Sequence, residues 1–241
     1  MSPKGRPEGE YVPKRASAEG SPVTKPLNPT CKKHRFGKAW MHEHVTDHWV
    51  QEAKRRGYRS RAAFKLLEIG TKDKLFRPGI RAVDLGAAPG SWSQVLAEKL
   101  GPRSAIVAID LLPMEPVRGV TAIVGDFSTE EGLAAVEAAL GGATVDLVVS
   151  DMAPNLSGID VVDQARSIHL GELALDFVER RLQPGGDFAV KLFQGAGFDA
   201  FQRQVATRFD KSYVRKPEAS RDRSREVFVV GKGFRGHGTT V

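Results

Sequence analysis

The stretch "VDLGAAPGSWSQVLAEKL", residues 83–100, passes from an apolar run through a glycine-rich turn into an amphipathic stretch. A strand that turns tightly into a helix is the opening unit of an α/β sheet, and its turn lets the backbone approach a ligand beside the positive end of the helix dipole. Around this unit the same alternation continues. Strands are predicted at "IRAVDL" (80–85), "SAIVAIDL" (104–111), "VTAIVGDF" (120–127), "VDLVVSD" (145–151), "DFAVKLF" (187–193) and "REVFVVG" (225–231). Helical patterns fall at 46–70, with Gly57 and Gly70 as breaks, and at 91–100, 129–140, 162–182 and 197–208. The alternation predicts an open α/β fold with a mostly parallel sheet and helices on both faces.

Composition bounds the rest. The 241 residues are 41% hydrophobic, enough for one sizeable core, and no run of apolar residues is long enough to span a membrane. The single cysteine, Cys31, rules out a disulfide framework or a four-cysteine zinc site. With a polar N-terminus lacking an apolar signal region, the chain reads as cytoplasmic. The net charge of +7 favours a polyanionic partner. Residues 1–38 hold nine Lys/Arg against Glu8, Glu10 and Glu19, with six prolines, and are expected to form a disordered basic arm that contacts RNA or remains solvated. The expected division is this arm, a domain over 39–232 and a short tail over 233–241.

In an open α/β sheet, ligands bind beyond the carboxyl ends of the strands. Four successive predicted strands end near an acid: Asp84, Asp110, Asp126 and Asp151. One such Asp is ordinarily a cap or a turn residue, whereas four in a row indicate a site. Asp110 lies about 20 residues beyond the glycine turn, the spacing of an acid that holds a ribose diol. The turn itself reads G-A-A-P-G. It lacks the G-x-G-x-x-G dinucleotide fingerprint, Pro89 removes a backbone N–H that a pyrophosphate would use, and no Lys-Ser/Thr follows as in a P-loop. An adenosine cofactor without phosphates fits better, with Asp126 near the adenine amine; S-adenosylmethionine is such a cofactor.

Five segments, "YRSRAAFKLLEI" (58–69), "VDLGAAPGSWSQ" (83–94), "SDMAPNLSG" (150–158), "VKLFQG" (190–195) and "SRDRSREVFVVG" (220–231), closely resemble the FtsJ-like 2′-O-ribose methyltransferases. The likeness covers about residues 40–232 in the family's order; Ser91 replaces the second glycine usual in the bacterial branch. It implies a Rossmann-like S-adenosylmethionine-dependent methyltransferase fold and a catalytic tetrad of Lys65, Asp151, Lys191 and Glu226. It further implies S-adenosylmethionine contacts at Gly90, Trp92, Asp110, Asp126 and Asp151. Lys191 stands out on physical grounds too, because a lysine inside an apolar strand is costly to bury unless it is paired or neutral. On the expected mechanism Lys191, neutral at the moment of reaction, takes the proton of a ribose 2′-hydroxyl as general base. Asp151 and Glu226 would orient the two lysines.

The resemblance implies an RNA substrate, in the closest relatives a uridine of large-subunit ribosomal RNA within the ribosomal particle; transfer RNA or a non-catalytic RNA-binding role in ribosome assembly are the alternatives. The basic clusters "AKRRGYRSR" (53–61) and "RKPEASRDRSR" (215–225) flank Lys65 and Glu226 and are suited to phosphates. Tyr58, Phe193 and Phe198 are candidates to stack on bases, with core packing as the alternative. His42, His44 and His48, with Cys31 and His34, lack the spacing of a zinc site, so no metal is expected. An NAD-dependent oxidoreductase is disfavoured by the glycine loop, and a monomer is expected.

Overall fold

The computed structural model describes residues 47–221 and 224–236. The basic arm, Cys31, His34, His42 and His44 lie outside the described residues, as does most of the expected tail. In chain order the elements are α1 (His48–Arg56), α2 (Ala62–Lys72), β1 (Arg81–Leu85), α3 (Ser91–Leu100), β2 (Ala105–Asp110), β3 (Val120–Val124), α4 (Glu130–Leu140) and β4 (Val145–Ser150). They continue with α5 (Asp160–Arg181), β5 (Leu182–Phe193), α6 (Phe198–Arg208), β6 (Phe209–Arg215) and β7 (Glu226–Phe234).

The seven strands lie in the order β3-β2-β1-β4-β5-β7-β6. The first five are parallel, and β7 enters antiparallel between β5 and β6. The strand order reverses between β1 and β4, so the crevice for a ligand opens beyond Leu85 and Ser150.

Alternation along each strand splits the core into two layers. Val83 and Leu85 of β1, Val148 of β4 and Val190 and Leu192 of β5 face one layer, shared with Phe177 of α5 and Phe201 of α6. Ala82, Leu147, Val149, Ala189, Phe228 and Val230 face the other, against Leu66 and Ile69 of α2 and Trp92 and Val95 of α3. By the same parity Asp84 and Lys191 fall on the α2/α3 face. Glu226 joins them, two residues before Phe228, which lies opposite Lys191 in the β5–β7 ladder. The sheet thus aims three polar side chains at one helical layer.

Several boundaries differ from the sequence reading. The expected break at Gly57 is present: Gly57, left-handed at φ 74°, caps α1, and Asp47 caps its start by accepting from the N–H groups of Trp49 and Val50. Gly70 is no break. It lies inside α2, where a Cβ would overlap the Phe76 ring, so its role is close packing. Strand β6 has no counterpart among the expected strands. Strand β7 runs to Phe234, past the boundary expected at 232, because Phe234 is buried against Phe209.

Candidate active site

Two ion pairs form at the carboxyl ends of the strands. Lys191 Nζ donates to Asp151 Oδ1 at 2.8 Å and also to the main-chain carbonyl of Asp151. Lys65, projecting from α2, meets Glu226 Oε1 at 2.5 Å. Both lysines are buried, at 8% and 9% relative exposure for Lys65 and Lys191, a state that charged amines reach only when paired. Lys65 Nζ also lies 6.0 Å from the centre of the ring of Phe228, the ladder partner of Lys191. All four residues of the expected tetrad therefore converge.

Ser220 is a member that sequence reasoning missed. Its hydroxyl donates to Glu226 Oε1 at 2.9 Å, and the residue is buried. Burial pushes the Glu226 carboxyl up, but Lys65, Lys191 and the Ser220 hydroxyl outweigh it and hold the group below the usual carboxylate range.

Beside Asp151 a cavity of about 270 Å³ opens at the switch point. Gly86 and Ala88 of the turn, Asp110, Asp126 and Asp151 line it, with Ile109, Phe127 and Leu170 among its apolar walls. A Cβ on Gly86 would lie 2.7 Å from the Met152 amide nitrogen, so the loop can close on β4 only with glycine there. Among the described residues, three carboxylates and no cationic side chain line this space. That donor set suits a positively charged adenosine cofactor and is wrong for nucleotide phosphates.

The expected cofactor residues divide. Asp110 accepts from the Ala88 N–H through Oδ2 and from the Leu112 N–H through Oδ1, each at 2.9 Å, bracing both loops of the cavity. Asp126 accepts from the N–H and hydroxyl of Ser128 through Oδ1, which holds its carboxyl below the usual range. Trp92 does not line the cavity. Its ring is buried against Phe228 and its indole N–H donates to the Ala62 carbonyl at 2.9 Å, tying α3 to α2; only its backbone is left to serve a ligand. Gly90 also stays outside the cavity lining. It starts α3 at φ 103°, where a side chain would collide with the Arg59 guanidinium.

That guanidinium is a second residue the sequence did not disclose. Arg59 donates to the carbonyls of Pro89 (2.9 Å), Glu115 (2.6 Å) and Pro116 (3.0 Å), clamping the glycine turn to the loop after β2. Asp84 is fully buried behind the turn. It accepts from the Ser93 hydroxyl at 2.7 Å, its other oxygen has no partner among the described residues, and burial, reinforced by Asp151 and Asp110, pushes its carboxyl up to about 7. Of the aromatic candidates, Phe198 is buried in the core and Tyr58 packs edge-on against Phe64 with its hydroxyl bound to Glu98.

A doubly wound sheet with an acid-lined cavity at its switch point, beside two buried lysine–carboxylate pairs, defines a Rossmann-like group-transfer enzyme. The chain belongs to the FtsJ-like methyltransferase family, whose model matches residues 58–234. It is 57% identical over 204 residues to a ribosomal RNA large subunit methyltransferase E of Alkalilimnicola ehrlichii, covering 84% of this chain and 98% of that one. It is 56% identical over 204 residues to the protein of the same name from Azoarcus sp., covering 85% and 100%. Among solved structures, one described as a ribosomal RNA methyltransferase from Plasmodium falciparum superposes with a TM-score of 0.66 at 28% identity, over 74% of this chain and 100% of that one.

Proposed function

We propose that this chain transfers a methyl group from S-adenosylmethionine to a ribose 2′-hydroxyl of RNA, the target being a uridine of 23S ribosomal RNA in the large subunit. The observation that carries the reading is the convergence of Lys191–Asp151 and Lys65–Glu226, with Asp151 also lining the acid-lined cavity. The names of the relatives supply the large-subunit target.

When bound, the cofactor supplies a methyl group already activated on a sulfonium. Asp110 and Asp126 are placed to hold the ribose diol and adenine amine, with Asp151 facing both cofactor and substrate. The protein must then aim the 2′-oxygen and remove its proton as the C–O bond forms. Lys191 is built for this. As the unprotonated amine it spends two hydrogens on Asp151, which leaves its lone pair in the one remaining tetrahedral direction. The proton passes to Nζ there, and the Asp151 carboxylate counters the charge that results. Lys65, held by Glu226, donates to the hydroxyl oxygen and fixes its orientation.

The test is labelled S-adenosylmethionine incubated with large ribosomal subunits from cells lacking the modification, followed by mapping of any 2′-O-methyl nucleotide. One labelled 23S uridine establishes reaction and target. Label on transfer RNA only would move the target, and cofactor binding with no transfer would favour a non-catalytic assembly role.

A further inference from the structure

Strand β3 forms one edge of the sheet, and among the described residues it pairs only with β2. The Gly125 N–H donates to the Asp110 carbonyl of β2 at 2.9 Å, so odd-numbered positions of β3 turn their main-chain groups inward, while Ala122 and Val124 turn theirs outward. Sheet edges are ordinarily blunted by a charge, a proline or a bulge. From Val120 to Val124 the strand reads "VTAIV" and carries none of these, and its register with β2 is unbroken. Ala122 and Val124 are exposed, next to the exposed Leu111 and Leu112 that directly follow β2. The edge is therefore open and partly apolar.

The chain around this strand, "RGVTAIVGD" (118–126), is self-complementary about Ala122. Run antiparallel to a copy of itself, it sets Val120 opposite Val124, Thr121 opposite Ile123, and Arg118 opposite Asp126. Arg118 and Asp126 are both exposed, and Arg118 pairs with no carboxylate among the described residues. In this register the outward groups coincide. Ala122 meets its own equivalent as a hydrogen-bonded pair, and the Val124 N–H meets the Val120 carbonyl of the other copy. A parallel pairing would instead oppose Arg118 to Arg118. The N-terminal arm fits the edge less well, because the six prolines in residues 1–38 interrupt any run of N–H donors.

We propose that β3 is a self-association edge, across which two copies of this chain join their sheets antiparallel about a two-fold axis at Ala122. The contact is isologous, so Arg118 of each copy meets the partner's Asp126 and both ends of the strand pair are charge-matched. One strand pair with a small apolar corner lies at the low end of interface size, and the dimer is reversible. The monomer expected from the sequence gives way to this concentration-dependent dimer.

The test is analytical sedimentation of the full chain, free of nucleic acid, from about 1 to 100 µM, the range in which a weak interface populates. The readout is mass rather than turnover, because Asp126 also lines the cofactor cavity. Wild type should pass from monomer to dimer with rising concentration. Arg118→Asp sets like charges together at both ends and Val124→Lys puts an ammonium in the apolar corner; each should raise the dimer Kd on the order of tenfold or more. Both side chains are exposed, so neither change disturbs the core. Combining Arg118→Asp with Asp126→Arg restores opposite charges and should return Kd to within about threefold of wild type, a rescue that a folding defect would not show. A wild type that stays monomeric throughout, wild-type association in both single variants, or no rescue in the charge-swapped pair would overturn the proposal.

Discussion

Lys191 Nζ is bound twice by the same residue, to the carboxylate of Asp151 at 2.8 Å and to its main-chain carbonyl. A single partner thus sets the amine's position and direction. Replacing Lys191 with Ala should cut methyl transfer on the order of a thousandfold, as loss of a positioned proton acceptor does. Cofactor affinity, measured by calorimetry, should stay within a few-fold, since Lys191 does not line the cofactor cavity. Lys191→Arg should not restore turnover, because a guanidinium never offers an unprotonated nitrogen at working pH.

Ser220 acts through Glu226. Ser220→Ala removes a hydrogen bond to the ionised carboxylate, worth about 1.5–3 kcal/mol when one partner is charged. The Glu226 carboxyl should then titrate higher, as read directly by carbon NMR of its side-chain carboxyl. Ser220→Thr should restore the titration; an unmoved titration in Ser220→Ala would assign the serine to packing alone.

Arg59 ties three segments by carbonyl contacts. Arg59→Ala should loosen the glycine turn against the loop after β2. It should raise the cofactor Kd about tenfold or more, the equivalent of roughly one charged hydrogen bond. Arg59→Lys should recover little, as one ammonium cannot reach carbonyls of Pro89, Glu115 and Pro116 in the fork geometry.

Asp84 is strained electrostatically in its ionised form. Its folded pKa, about 7, lies above the ordinary carboxylate value of 3.8, so the native state binds more protons than the unfolded chain between those limits. Stability should therefore fall as pH rises through that window, by about 1.4 kcal/mol per unit of difference. Asp84→Asn abolishes this titration. Thermal melts should show the variant gaining on wild type between pH 5 and pH 8; a constant difference would mean Asp84 is ionised throughout.

Gly86 is held at φ 77° with the Met152 backbone where a side chain would stand. Gly86→Ala should cost at least about 1–2 kcal/mol from the left-handed conformation alone. The clash must also open the turn away from β4, so cofactor binding should weaken beyond what melting shows. Gly57→Ala pays the conformational cost at a site where nothing lies within reach of a Cβ, and should leave cofactor binding intact.

Much of this was legible because it is local. Apolar alternation marked five parallel strands and β7, and acids at four strand ends marked the ligand edge. Lys191 was conspicuous as a charge between Val190 and Leu192, and a two-residue period is enough to aim it away from their layer. Strand β6 was missed for the opposite reason. "FDKSYVR" buries only Phe209 fully, since an edge strand with one covered face carries a weak pattern. Trp92 follows the glycine turn immediately, yet one helical turn decides whether a side chain faces ligand or core, and here it faces Ala62 and Phe228. Arg59 and Ser220 sat inside basic runs that read as contacts for RNA phosphates, and nothing in such runs distinguishes a structural clamp from a phosphate contact.

By itself, the sequence determined the alternation of strands and helices, the glycine turn, the acids at the strand ends and, through resemblance, the four residues of the tetrad. These are properties of short windows, in which periodicity and backbone preference act on neighbours along the chain. Only the tertiary structure decided that Lys65 meets Glu226 and that Lys191 donates both its bonds to Asp151. Those contacts depend on strand order and side-chain parity. The insertion of β7 beside β5 brings Glu226 onto the face of Lys191, and no local preference in either segment specifies that pairing.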